Sequence, residues 1–133
     1  MYQLSYLDVG ENRYPYIIDL NVLEALQEEF QTLQAFEREI VGLEIVRDEE
    51  GHTVFDEEGK PLFLTKEPSV KAVKRALILM IREGLRIEAI RENRQCRSIT
   101  DEEILADCSM IPHKVLAEII HSEYFRRFKT KKE

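Results

Sequence analysis

Three histidines, two cysteines and two acidic clusters are the side chains in this sequence whose types and spacing could do chemistry. His52, His113 and His121 would serve as metal ligands or proton carriers, yet no H-E-x-x-H pair or His/Cys ligand cluster surrounds them. His113 and His121 fall on one predicted helix, where their spacing corresponds to roughly 12 Å along the axis, too far for both to reach one ion. Cys96 and Cys108 form no C-x-x-C pair and read as ordinary thiols in or beside helical segments. The acidic clusters Asp48-Glu-Glu-Gly51 and Asp56-Glu-Glu-Gly59 invite a calcium reading. They lack the D-x-[DN]-x-[DN]-G ladder that supplies alternating oxygen ligands, so turn chemistry explains them better. No nucleophile elbow, phosphate-binding loop or dinucleotide fingerprint is present. The expectation is a protein that is not an enzyme, holds no metal or cofactor, and works by binding other proteins.

The elements that carry these residues follow from periodicity and punctuation. Tyr2–Leu7 and Tyr14–Ile18 alternate in character around Asp8-Val-Gly-Glu-Asn12, which predicts a β-hairpin over 2–18, with Pro15 at an edge strand or strand end. Residues 21–41 form a helix or a helix pair. Asn21 and Glu24 have the spacing of a cap, Val22, Leu26, Phe30, Leu33 and Ile40 make one apolar stripe, and Thr32 offers a second cap. The two acidic turns join short strands at 43–47, 53–55 and 61–64, a small exposed β-meander over 43–64. Ser69 caps a core helix over 69–83 with Val70, Val73, Ala76, Leu77, Met80 and Ile81 inward, and Gly84 ends it. Thr100 and Glu103 make a capping box for a helix over 100–108, and Pro112 opens a last helix over 112–128 with Val115, Leu116, Ile119 and Ile120 inward. The fold class is α+β, mainly α: one compact helical domain, 1–133, with an N-terminal β-hairpin and a β-meander insertion.

Composition narrows the class further. With 133 residues, 44% of them apolar and 34% charged, the chain is long enough for one core and too hydrophobic to be disordered. It has no apolar run of about 18 residues, and its opening lacks a basic n-region, so no membrane association and a cytoplasmic location are expected. The net charge of −7 is uneven: residues 1–68 hold 16 acidic and 5 basic side chains, whereas residues 69–133 hold 10 and 14. Such asymmetry suits complementary ends that meet between copies, head to tail, and predicts a homo-oligomer.

Several segments resemble one family. Tyr14-Pro-Tyr-Ile-Ile-Asp-Leu-Asn-Val-Leu-Glu-Ala-Leu-Gln-Glu-Glu-Phe30 is similar to the opening of the tail assembly chaperones encoded by tailed phages and prophages of Gram-positive bacteria, which begin with a short hairpin and a helix of the form N-V-L-E-x-I-Q-E. Lys66-Glu-Pro-Ser-Val-Lys-Ala-Val-Lys-Arg-Ala-Leu-Ile-Leu-Met-Ile-Arg-Glu-Gly84 looks like their E-P-S-V … M-I-N-E-G segment, with Arg82 where a polar residue is usual. Ile99-Thr-Asp-Glu-Glu-Ile104 sits where they carry V-T-E-K-E-V. The resemblance implies a mainly helical fold, no cofactor, self-association, and binding to the tape measure protein that sets tail length, with recruitment of the tail tube protein.

A chaperone of a long helical chain needs exposed apolar surface edged by charge. Tyr124, Phe125 and Phe128 are the candidate partner-binding residues, because three aromatics within five positions cannot all face one helix stripe. A rival reading treats residues 100–121 as a DNA-binding helix–turn–helix with Ala106 and Leu116 at core positions. Its second helix offers Lys114 and two histidines but no Arg, Asn or Gln for base readout, so nucleic acid is not the expected partner.

Overall fold

The structure is a computed structural model that describes residues 3–128. Tyr2, where the hairpin was expected to begin, lies outside the described residues. Strands β1 (Ser5–Val9) and β2 (Asn12–Tyr16) pair antiparallel, with Tyr6 opposite Pro15 and Leu7 opposite Tyr14. The turn is therefore tighter than the Asp8–Asn12 loop expected, because Gly10 takes a positive φ of 58° and lets Val9 and Asn12 face one another. Leu7, Val9 and Tyr14 turn inward. Two strands alone are marginal, and this pair is stabilised by lying against the long helix that begins at Val70.

Residues 21–41 form two helices. Helix α1 (Leu20–Phe30) ends where Gln31 adopts φ 73°, and α2 (Leu33–Val41) starts with the Thr32 hydroxyl accepting from the Ala35 N–H. The cap of α1 is Asp19, which accepts from the Val22 N–H, whereas Asn21 donates to Glu83 instead. Asp19, two residues before the expected cap, takes its place.

Helix α3 (Val70–Arg91) is the axis of the molecule. Ser69 caps it as expected, but Gly84 does not end it. A Cβ on Gly84 would come within 2.4 Å of the Pro15 carbonyl oxygen and 2.8 Å of the Tyr16 nitrogen. The glycine lets β2 cross the helix at backbone contact, and one turn earlier the Ile17 N–H reaches the Met80 carbonyl at 3.3 Å. Two further turns of helix follow, so Arg86 and Arg91 are helical, while Arg94 and Arg97 fold back to a buried carboxylate at Glu88. Val73, Ala76, Leu77, Met80 and Ile81 are buried as expected, whereas Val70 is 60% exposed.

Helix α4 (Asp101–Cys108) has both halves of the Thr100/Glu103 capping box. Helix α5 (His113–Phe128) buries Leu116 and Ile120 and leaves Val115 largely outside. One core joins both hairpin strands to all five helices: Leu7, Tyr14, Leu26, Phe36, Met80, Ile81, Ile104, Ile120 and Tyr124 belong to a single cluster. The architecture is α+β, mainly α.

The acidic meander stands outside that core. Strands β3 (Leu43–Ile45) and β4 (Phe63–Thr65) pair antiparallel, so its first and last strands meet, which a simple meander would not do. The reason lies in an eight-residue repeat. Val46 donates to Leu62, Val54 donates to Val46, and Leu62 donates to Val54, a closed ring of three backbone bonds. Asp48 and Asp56 each accept two backbone N–H groups inside their turns, and Gly51 and Gly59 take φ near +80°.

Candidate functional site

The expected aromatic anchors separate by one helical step. Tyr124 is buried, with its ring edge-on to Phe36 at 5.6 Å, so it belongs to the core and is corrected from the partner-binding set. Phe125 and Phe128 are 43% and 47% exposed beside it. Burial, then the nearby Glu37 carboxylate, push the Tyr124 hydroxyl up to about 12.

Two of the three histidines serve packing. His113 Nε2 lies 2.8 Å from the Pro68 carbonyl, joining α5 to the start of α3, and His121 Nε2 lies 2.9 Å from Glu37, joining α5 to α2. Cys108 is buried, and its thiol is pushed up to about 11 by that burial, well away from thiolate chemistry at neutral pH. Cys96 is exposed. Among the described residues, the group whose donor atoms could surround one ion is Asp48, Glu50 and His52, all exposed. One oxygen of Asp48 already accepts the Glu50 and His52 N–H groups, which is what a turn requires.

The buried and half-buried acids are structural as well. Glu88 accepts from Arg94 and Arg97, and Glu123 accepts from Ser5 and Arg126. Asp107 accepts from Asn12 and the Tyr14 hydroxyl, tying α4 to the hairpin. Burial, then the hydrogen-bonded Glu83 carboxylate, raise Asp19 to about 6, while the Arg86 fork holds Glu83 down to about 2. These partners mostly tie one part of the chain to another, and Ser5, Glu123 and Arg126 also line a shallow groove of about 370 Å³ beside Tyr16 and Ile119.

Open apolar surface lies instead on both sides of α5. One groove of about 510 Å³ runs between α2 and α5, with Ile40, Val41, Pro68, Ala117 and His121 in its walls. A second, of about 410 Å³, lies between α3, α4 and α5. Leu77, Leu105, Ile111 and Leu116 form its floor and sides, with Val70 and Lys74 at the edge and the 72% exposed Met110 following Ser109 beside it. Val70 was expected inward on the core stripe, and neither it nor Met110 was read from the sequence as a binding residue. Met110 carried the usable signal: an apolar residue in a turn between two helices has no helical stripe to join.

No family model, curated protein or solved structure matches this chain. Local geometry therefore carries the functional argument, together with the segment resemblances quoted above. That geometry also bears on the helix–turn–helix reading. Ala106 is exposed, so the pairing of Ala106 and Leu116 as inward positions is not formed. Arg75, Arg82, Arg86, Arg94 and Arg97 are engaged with Glu29, Asp101, Glu83 and Glu88, which consumes much of the basic charge that phosphate contacts would use. No helix among the described residues is long and apolar enough to cross a membrane.

Proposed function

We propose that this chain is a non-enzymatic binding protein that holds an amphipathic helical segment of a larger partner in the groove between α3, α4 and α5. The single observation behind this is an apolar trough, floored by Leu77 and Leu116 and flanked by Val70, Leu105 and Ile111, with Lys74 exposed at its edge. Helix-in-groove recognition needs an apolar floor for residues spaced three and four apart and a charged rim for the polar face. The resemblance of residues 14–30, 66–84 and 99–104 names the partner in this reading. The chain is a tail assembly chaperone of a tailed phage or prophage, the segment belongs to the tape measure protein, and the tail tube protein is recruited in the host cytoplasm.

The experiment is capture of a helical tape measure fragment by the full chain, against variants carrying Val70→Asp and Lys74→Asp. Both positions are exposed, so the variants are expected to fold, as their circular dichroism would show, and to bind at least tenfold more weakly. Unchanged capture by folded variants would reject this groove.

A further inference from the structure

The β3–β4 tongue has no visible reason to be as apolar as it is. Phe55, Phe63 and Leu64 are 56%, 44% and 58% exposed on an element that contributes nothing to the core cluster. Asp48, Glu49, Glu50, Asp56, Glu57 and Glu58 crowd the two turns beside them. A small projecting element whose backbone bonds close on themselves but whose greasy side chains face outward is a contact surface waiting for a partner.

The complement to that surface is present on the same chain. The end of α5 exposes Phe125 and Phe128 beside Arg126 and Arg127, and the sequence beyond adds Lys129, Lys131 and Lys132. Arg126 already bonds Glu123, so its share in any contact is to hold positive charge at that end rather than to supply a new pairing. The two surfaces lie toward opposite ends of the molecule. Helix α2 runs antiparallel to α5: Ile40 and Val41 share a groove with Ala117 and His121, Glu37 meets His121, and Phe36 meets Tyr124. The tongue leaves α2 at its C-terminal end, and the Phe125/Phe128 end of α5 lies toward the other. Such a pair of patches satisfies itself between copies, and a heterologous contact of this kind propagates into a ring or a filament.

We infer that the acidic, apolar tongue of one copy docks on the basic, aromatic end of α5 of the next, with Phe55, Phe63 and Leu64 against Phe125 and Phe128. The occupant is a second copy of this chain, and the groove beside α4 stays free for the helical partner.

Sedimentation of the full chain tests this with two variants, one carrying Phe55→Ser, Phe63→Ser and Leu64→Ser, the other Phe125→Ser and Phe128→Ser. The parent is expected to gain mass with concentration and to lose most of that gain between about 0.05 and 0.5 M salt, as screening shortens. Each variant alone should remain a monomer. Mixed in equal amounts they should form a complex of two copies and no more, because one intact tongue then meets one intact α5 end. A parent that is monomeric throughout, a tongue variant that assembles like the parent, or a mixture that stays monomeric would each overturn the inference. Circular dichroism confirms that the variants fold. Capture of the helical fragment by both variants separates this proposal from the groove reading: assembly lost with capture kept supports both, and capture absent from an assembling parent sinks only the groove.

Discussion

Gly84 and Gly59 show how differently the helical core and the tongue use the same residue. Gly84 sits in ordinary helix where a methyl group would strike the Pro15 carbonyl, so its lack of a side chain serves packing between distant elements. Gly59 sits at φ 82° with nothing within 4 Å of a built Cβ, so its value is local and concerns backbone conformation alone. The core is specified by contacts far apart in sequence, whereas the tongue is specified within each eight-residue repeat. Stability should therefore be concentrated in the first region and exposed binding surface in the second.

The harshest way to break that contrast is in the aromatic heart. Phe36 is fully buried between Phe30 and Tyr124, and Phe36→Ala is expected to cost about 3–5 kcal/mol in a denaturant titration. Next come the glycines. Gly84→Ala should lower global stability by about 2–3 kcal/mol through the clash with β2. Gly59→Ala should strain its own turn by about 1 kcal/mol and leave the thermal midpoint of the helices where it was. Equal loss of midpoint in the two variants would erase the distinction between the regions.

A smaller effect sharpens the comparison through pH. Asp19 has its carboxyl raised from 3.8 to about 6, so the stability it contributes is whole below the lower value and is lost as pH rises through the upper one. Glu83, held down from 4.5 to about 2, works in the opposite sense and gives way only in acid. Asp19→Asn keeps an oxygen to cap α1 and removes the raised carboxyl. The variant should gain about 1 kcal/mol on the parent at pH 7.5 relative to pH 5, a figure discounted for the solvent that reaches this pair. Denaturant midpoints at the two pH values read the difference directly. A parent and variant with parallel pH profiles would mean that neither burial nor Glu83 raises the Asp19 carboxyl.

How much of this was legible in the sequence depended on how local each signal was. The caps at Thr32, Ser69 and Thr100, the acidic turns and the tail of α5 depend on residues a few positions apart, and they are where expected. Gly84 misled because a glycine after an apolar stripe reads the same whether it stops a helix or admits a crossing strand 69 positions earlier. Tyr124 and Phe125 are neighbours of similar character, and only the distant Phe36 determines which of them turns inward. The α4–α5 groove was invisible for the same reason: its walls come from three helices, and Val70 looks in sequence like one more member of the core stripe. The closed ring of Val46, Val54 and Leu62 was half legible, since the repeat was plain but the return of the third strand to the first was not.

If the tongue is a contact surface carried by a core that does not need it, its tip should be removable. Ile45 and Phe63 face one another across the ribbon, so Val46–Leu62 can be replaced by the two-residue turn Asn-Gly, which suits an antiparallel pair. In dilute solution the denaturant midpoint of the shortened chain is expected to stay within about 0.5 kcal/mol of the parent, as for surface changes generally. A loss of several kcal/mol would show that the tongue belongs to the fold, and would contradict the division of labour between the two regions.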